Sequence, residues 1–240
     1  MHVFRTKHVG ILALATGVIT ISFSPLLVQM SEVGPTTTAV YRMLFAIPVL
    51  VAWSSLELQT TVNSEWKIAP RQWGLLALGG ILFAGDLIAW HSSIRLSGVA
   101  NATFLAHLST PIIAIGAWLI FNEHLNWKFL SGLTIAMIGT ALIMGASTLH
   151  SSGNLLGDGL GLLTAFFYGA YLLTIKQLRL SLPSGVIMLA TSVFCLPVLL
   201  IAAFFMEDQL FPDTWIGWGI LLGMGLIIHS GGQGLITVAF

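Results

Sequence analysis

Three ionisable side chains are predicted to lie at similar depths within three successive apolar runs of this chain. Arg42, Asp86 and His107 lie roughly 9, 12 and 13 Å below the outer ends of their runs, at about 1.5 Å per helical residue. An isolated charge at that depth is costly, so we expect Arg42 and Asp86 to pair. The group fits a substrate-binding or proton-carrying layer, in which His107 can change charge near neutral pH. The alternative is a neutralising Arg42–Asp86 pair that only fixes helix packing.

A second polar group is predicted toward the inner side, in the last apolar run. His229 and Gln233 lie there among Gly231, Gly232 and Gly234. Glycine at this density weakens a helix unless neighbouring helices approach closely or the helix is unwound at a binding site. Close packing is the simpler of these two interpretations, and His229 and Gln233 remain candidates for the inner half of a site.

Other polar and aromatic residues near the first layer have less specific interpretations. Trp90 lies beside the layer and is placed to stack on a substrate. His91 and Arg95 lie nearer the outer boundary, where we expect them to extend their polar ends toward water. The other tryptophans fall mostly near the ends of apolar runs, as an interfacial belt would.

The residues needed for an enzyme are not apparent in the sequence. No two histidines stand at metal-ligand spacing, and Asp86 has no second intramembrane aspartate with which to form a protease pair. The single cysteine, Cys195, excludes a disulfide framework. No phosphate-binding glycine loop is present. We therefore expect a protein that is not an enzyme and that holds neither a cofactor nor a metal.

Composition places these residues in an all-α integral membrane protein. Charged residues make up 8% of the 240-residue chain and hydrophobic residues 56%, whereas soluble domains carry about 25% charged residues. A membrane-spanning helix needs roughly 20 mostly apolar residues. The sequence predicts eight such helices, at about 9–28, 36–56, 73–94, 98–121, 129–147, 159–175, 182–206 and 214–238.

The basic residues predict an orientation. With the N-terminus in the cytoplasm, Arg95 alone lies outside, Arg42 lies within a span, and seven basic residues lie inside: Arg5, Lys7, Lys67, Arg71, Lys128, Lys176 and Arg179. This distribution follows the positive-inside rule. We expect a multi-pass protein of the inner (plasma) membrane, with the lipid bilayer and a small-molecule substrate as partners and no nucleic acid.

A weak internal repeat indicates inverted architecture. The segment Phe45, Pro48, Val49 and Leu50 recurs 149 residues later as Phe194, Pro197, Val198 and Leu199. An odd number of predicted spans separates the two copies, so the second copy must enter the membrane upside down. Inverted repeats build alternating-access transporters whose substrate site lies at the repeat interface.

The chain resembles the drug/metabolite transporter superfamily, EamA type. Several stretches carry the resemblance: Gly85-Asp86-Leu87 through Trp90-His91 and Ser93-Ile94, then Val99-Ala100-Asn101-Ala102-Thr103, Pro111, the Asn122-Glu123 exit, the glycine-rich 132–139 and the start of the second repeat at 157–176. The resemblance implies ten helices in two inverted five-helix repeats. It also implies export of small metabolites such as amino acids, and it adds Asn101 to the candidate site residues. We expect a capping or solvated role for Glu123.

This resemblance implies two units, with the first repeat at 1–148 and the second at 149–240. Only three of the five helices of the second repeat are present, so we expect a truncated form that is unstable or inactive alone. The alternatives are an eight-helix protein that closes its cavity as a homodimer, and a polytopic scaffold or inactive transporter fragment.

Overall fold

The computed structural model describes residues 2–60, 68–148 and 154–239, which contain α-helices and one π-helix but no strand. The elements are α1 His2–Ser22, α2 Ser24–Met30, α3 Pro35–Thr60, α4 Pro70–His107, α5 Ser109–Phe121, α6 Trp127–Thr148, α7 Leu155–Arg179, α8 Ser184–Met206, α9 Trp215–Gly223, the π-helix Met224–Gln233 and α10 Gly234–Ala239. Helices are expected here, because a bilayer offers the backbone no outside hydrogen-bond partner.

The described residues contain six helical segments long and apolar enough to cross a membrane, together with a shorter apolar helix at Trp127–Leu142. The sequence predicted eight spans. The counts differ partly because two predicted spans, 73–94 and 98–121, lie in one helical segment of 52 residues, Pro70–Phe121, which counts as a single candidate. That segment would be about 78 Å long as a straight helix, against a hydrocarbon core of about 30 Å.

The long segment reverses direction at Gly98, where φ is 81° and ψ is 161°. This backbone conformation is essentially restricted to glycine. Positions along α7 show the reversal: Gly157 lies against Ser97, and Gly161 lies against both Ser93 and Leu105. Further along α7, Thr174 lies against Gly79 of the first arm, and Leu173 lies against Gly116 of the second arm. The two arms of this segment are therefore antiparallel, and both pack on α7.

The buried core lies where α4, α7 and α8 meet α3. Its largest fully buried side chains include Tyr171, Phe83, Met43, Leu87 and Leu199. Phe83 and Tyr171 stack with their ring centroids 4.6 Å apart. This core holds the first arm of α4 beside α3, which is the arrangement that positions Arg42 and Asp86.

The glycine-rich segment Met224–Gln233 is a π-helix of ten residues between α9 and α10. Gly232 and Gly17 lie in close mutual contact, with 2.8 Å between the Gly232 carbonyl oxygen and the position a Gly17 Cβ would occupy. The glycines thus permit close packing against α1, and the helix also departs from α geometry. Short π-helical insertions are frequent at functional sites.

Candidate functional site

Arg42 and Asp86 come together at the centre of the bundle. Arg42 on α3 is 3% exposed and Asp86 on α4 is 6% exposed, and the two charges interact electrostatically. The Arg42 guanidinium lies over the Phe83 ring, with Cζ 5.8 Å from the ring centroid. Because Phe83 and Asp86 are three residues apart, they share one face of α4. That face therefore presents an aromatic ring and a carboxyl group toward Arg42.

The expected direct ion pair between these two residues is not formed. The salt bridge of the described residues joins Lys176 to Glu123 and does not involve Arg42. Arg42 instead donates from Nη1 to the Ser24 hydroxyl at 3.4 Å, and its Nε has no partner among the described residues. Asp86 likewise accepts no hydrogen bond from a described residue. The prediction of contact was wrong because depth along a helix does not fix the direction of a side chain.

His229 lies in the same polar region, on the π-helix. Its ring stacks on Phe83 with the ring centroids 5.4 Å apart, and Phe83 also stacks on Tyr171. The His229 Nε2 atom is 2.9 Å from the Ser192 hydroxyl of α8, and its Nδ1 atom is buried with no partner among the described residues. Arg42 and His229 also interact electrostatically. The structure therefore brings together candidates that are 187 positions apart in sequence.

Gln233 lies one turn beyond His229 and is 1% exposed. Its Oε1 atom accepts a hydrogen bond from the Tyr168 hydroxyl of α7 at 3.5 Å. Its Nε2 donor has no partner among the described residues. Buried polar groups in folded proteins are almost always hydrogen-bonded. The unpartnered nitrogens of Arg42, His229 and Gln233 thus form a set of polar atoms available to a water molecule or a ligand.

His91 is a correction to the sequence analysis. It was expected to extend toward water, but it is fully buried, and its Nδ1 lies 2.7 Å from the Pro35 carbonyl at the start of α3. Because a carbonyl only accepts, Nδ1 carries the proton and Nε2 is left as an unpartnered acceptor within the described residues. Trp90 is partly buried, packs beside Val28 and Ile94, and contacts the His91 ring at 5.4 Å.

Two other candidates lie apart from the Arg42–Asp86 pair. His107, the last residue of α4, is exposed, and no contact among the described residues joins it to that pair. Asn101 donates from Nδ2 to the Asp158 carboxylate in the first turn of α7, which ties the second arm of the long segment to α7. The predicted three-residue layer is therefore a two-residue layer in this structure.

Asn122 and Glu123, at the end of α5, have local structural roles. Asn122 ends α5 in the left-handed conformation, with φ 53°. Glu123 accepts a hydrogen bond from Lys176 of α7 at 2.6 Å, and the two side chains are 50% and 26% exposed. An exposed pair of this kind contributes about 0–1 kcal/mol, which agrees with a solvated role for Glu123.

Sequence reasoning missed the neutral residues of the site. Phe83, Tyr168 and Ser192 lie in apolar runs and read individually as ordinary core residues. A signal was available for Phe83, since it stands three residues before Asp86 on a predicted helix. No spacing in the sequence relates Ser192 to His229, because their helices are paired only by the fold.

Comparison with known proteins identifies the relatives of this bundle. Residues 8–145 match the model of the EamA-like transporter family. A protein of Archaeoglobus fulgidus named "Uncharacterized transporter" is 27% identical over 204 residues, which is 80% of this chain and 67% of that protein. A solved structure described as "Crystal structure of protein" superimposes with a TM-score of 0.71 over 98% of this chain and 79% of its own, at 17% identity, so it shows the same fold. The family is one of transporters rather than enzymes, and the six candidate membrane spans agree with a multi-pass membrane protein. The chain belongs to the EamA-like transporter family.

Proposed function

We propose that this protein exports small metabolites such as amino acids across the inner membrane by alternating access, with its N-terminus in the cytoplasm. One observation carries the proposal. Arg42 and Asp86, from the first part of the chain, lie buried with His229 and Gln233, from the last part, and several of their polar atoms have no partner within the described ranges. Ionisable groups inside a membrane bundle mark substrate or proton pathways.

The packing of two glycines supports an inverted-repeat arrangement around this site. A Cβ on Gly80 of α4 would lie 2.5 Å from the Cβ of Phe194, and a Cβ on Gly225 would lie 2.6 Å from the Cβ of Phe45. The other close neighbours also correspond by position. Backbone atoms of Thr191 and Cys195 lie near Gly80, and backbone atoms of Arg42 and Ala46 lie near Gly225. Each neighbour of Gly225 stands 149 residues before a neighbour of Gly80. A glycine of the first half thus contacts α8 in the same way as a glycine of the second half contacts α3. Two repeats, 1–148 and 149–240, related by a pseudo-two-fold axis would make such a pair of contacts.

The chemistry of the site suits a small molecule with polar groups of both signs. Arg42 offers a cationic donor, Asp86 an anionic acceptor, and Gln233 an amide donor. The Phe83 ring beneath the Arg42 guanidinium provides an apolar surface. The same residues also suit proton coupling, because a carboxyl group without a hydrogen-bond partner can take up a proton at modest cost in such surroundings.

The proposed topology has eight membrane crossings, counted with the reversal at Gly98 and with α6 as a crossing. Single cysteines in place of Leu180 and Gln209, in a variant lacking Cys195, test it. A membrane-impermeant thiol reagent should reach position 209 from outside intact cells and position 180 only after the membrane is opened. Labelling of both positions from the same side would contradict the proposal.

The function itself is tested by flux through proteoliposomes. Vesicles containing the purified protein are loaded with a mixture of amino acids and related metabolites, and release is followed with and without a pH gradient. Asp86→Asn should abolish protein-dependent release while the protein elutes normally in size-exclusion chromatography. Release equal to that of empty vesicles under every condition would favour the scaffold interpretation.

A further inference from the structure

Two carboxylates join α3 to α8 at opposite ends of these helices. Glu207, which follows α8, accepts hydrogen bonds from the backbone N–H groups of Thr36 and Thr37 at 2.5 and 2.9 Å. Glu57, near the end of α3, accepts from the backbone N–H of Gly185 at 2.6 Å. Each helix therefore has its first turn capped by a carboxylate from the far end of the other. A carboxylate is well suited to this place, since the first N–H groups of a helix have no intrahelical acceptor.

The two contacts are equivalent by position. Helices α3 and α8 begin at Pro35 and Ser184, 149 residues apart, and the same offset relates Thr36 to Gly185. Glu57 and Glu207 are 150 residues apart. The contacts are also separated by the thickness of a membrane, because the 21 residues from Thr36 to Glu57 span about 32 Å of helix, against a hydrocarbon core of about 30 Å. One contact thus lies at each membrane face.

We propose that Glu57 and Glu207 are a pair of latches that open alternately, Glu207 releasing α3 on the outer face and Glu57 releasing α8 on the inner face. This inference rests on the proposed function. Alternating access requires the two halves to separate at one face while they stay joined at the other. Both latches are closed in this structure, and the Arg42–Asp86 site between them is buried. Closed contacts at both ends and a buried site between them are what the proposal expects of an occluded state.

The surroundings of Glu207 fit an opening latch rather than a sealed core contact. It lines a polar cavity of about 340 Å³ together with Glu32, Arg95 and Asp208. Water in that cavity can solvate the carboxylate and the N–H groups of Thr36 and Thr37 once they part, so opening exchanges one set of hydrogen bonds for another. The hydroxyls of Thr36 and Thr37 have no partner among the described residues in the closed state.

The test measures thiol accessibility on each side of the site. In a variant lacking Cys195, single cysteines replace Ala39 and Met188, which are buried, 149 residues apart, and about one turn inward from the two latches. Labelling rates with a small membrane-impermeant thiol reagent are measured in right-side-out and inside-out vesicles. Glu207→Gln should raise the rate at position 39 at least threefold from the outer side and leave position 188 unchanged. Glu57→Gln should do the reverse.

Matched variants separate the latch from general loosening. Asp208→Asn makes the same change of charge beside Glu207, at a residue that lines the cavity, and should alter neither rate. Glu207→Asp and Glu57→Asp keep the charge but shorten the reach, and they replace the glutamine variants if those do not fold. Faster labelling of both reporters by one variant, or of neither by both variants, would overturn the proposal.

The readout needs no substrate, so it is independent of the flux experiment. Side-selective labelling in a protein that releases no metabolite would uphold the latches and count against the proposed function. Flux by the unsubstituted protein without side-selective labelling would uphold transport and overturn the latches.

Discussion

The Arg42 guanidinium donates to the Ser24 hydroxyl at 3.4 Å, and the nearby Asp86 carboxyl accepts no hydrogen bond from any residue that the structure describes. The two charges still interact electrostatically across this gap. Buried charges are normally paired and fully hydrogen-bonded, because desolvation costs several kcal/mol per ion. The separation of Arg42 from Asp86 therefore does not match a purely structural ion pair, and it is consistent with the binding or proton-carrying role proposed above.

The energetic coupling of this pair can be measured by removing each charge. Arg42→Met should lower the free energy of unfolding by about 3 kcal/mol, since it leaves the Asp86 charge buried and uncompensated. The double variant Arg42→Met with Asp86→Asn should recover most of this loss, because no buried charge remains. Thermal unfolding in detergent checks both variants. Equal stability of the single and double variants would show that the two charges are not coupled.

The hydrogen bond between Ser192 and His229 should stabilise the junction of α8 and the π-helix. Ser192→Ala leaves the buried Nε2 atom of His229 without a partner, so we expect a loss of about 1–3 kcal/mol. Ser55→Ala, at an exposed position of α3, is the control and should change stability by less than about 0.5 kcal/mol. If the two alanine variants unfold at the same temperature, the bond contributes nothing measurable.

The reversal of the long helical segment should depend on Gly98. Gly98→Ala places a Cβ on a residue with φ 81°, so we expect a cost of about 1–3 kcal/mol. Gly74→Ala is the matched control, since it lies in the same element with no atom within 4 Å of its added Cβ. The control should be neutral or stabilising by up to about 1 kcal/mol. A harmless Gly98→Ala variant would contradict the backbone conformation described for this turn.

The two equivalent glycine contacts should respond alike to substitution. Gly80→Ala and Gly225→Ala both place a Cβ under 3 Å from a phenylalanine Cβ, and each should cost about 1–3 kcal/mol by overpacking. Gly219→Ala, whose added Cβ meets nothing within 4 Å, should be tolerated. Chemical denaturation in detergent compares the three variants. Markedly unequal costs at Gly80 and Gly225 would weaken the argument for a pseudo-two-fold axis.

An acid-sensitive contact is expected outside the membrane, between Glu32 and the start of α9. The Thr214 hydroxyl lowers the pKa of Glu32 from its ordinary value of 4.5, desolvation opposes this effect, and the N–H groups of Thr214 and Asp213 lower the pKa further. A lowered folded pKa means that the contact stabilises this loop fully above about pH 4.5 and loses its effect as the pH falls through the lowered value.

Proteolysis of the 207–214 loop at graded pH checks this expectation. Cleavage by an acid-tolerant protease should accelerate below about pH 4.5 in the unsubstituted protein. Glu32→Gln should be cleaved faster at neutral pH and show little further change on acidification. A loop whose cleavage follows the same pH profile in both proteins would show that Glu32 does not hold it.

The sequence by itself determined that the chain is an all-helical membrane bundle and that polar residues such as Arg42 and Asp86 lie within its apolar segments. These are local properties, since a run of about 20 apolar residues commits its backbone to a helix in lipid whatever its neighbours do. Residue counting also placed Arg42 and Asp86 at a common depth. The separate spans at 73–94 and 98–121 also predicted a reversal between them, but apolar composition on both sides did not identify Gly98 as the residue that turns.

Only the tertiary structure decided which side chains meet. Depth along a helix follows from the count of residues, but rotation about the helix axis is set by packing against other helices. For that reason Arg42 bonds Ser24 instead of Asp86, His91 is buried on the Pro35 carbonyl, and His107 lies apart from the polar layer. The reciprocal contacts of Glu57 and Glu207 could not be predicted from the sequence either, because each joins residues more than 120 positions apart. Each uses a backbone N–H at the start of a helix, which has no acceptor within its own helix.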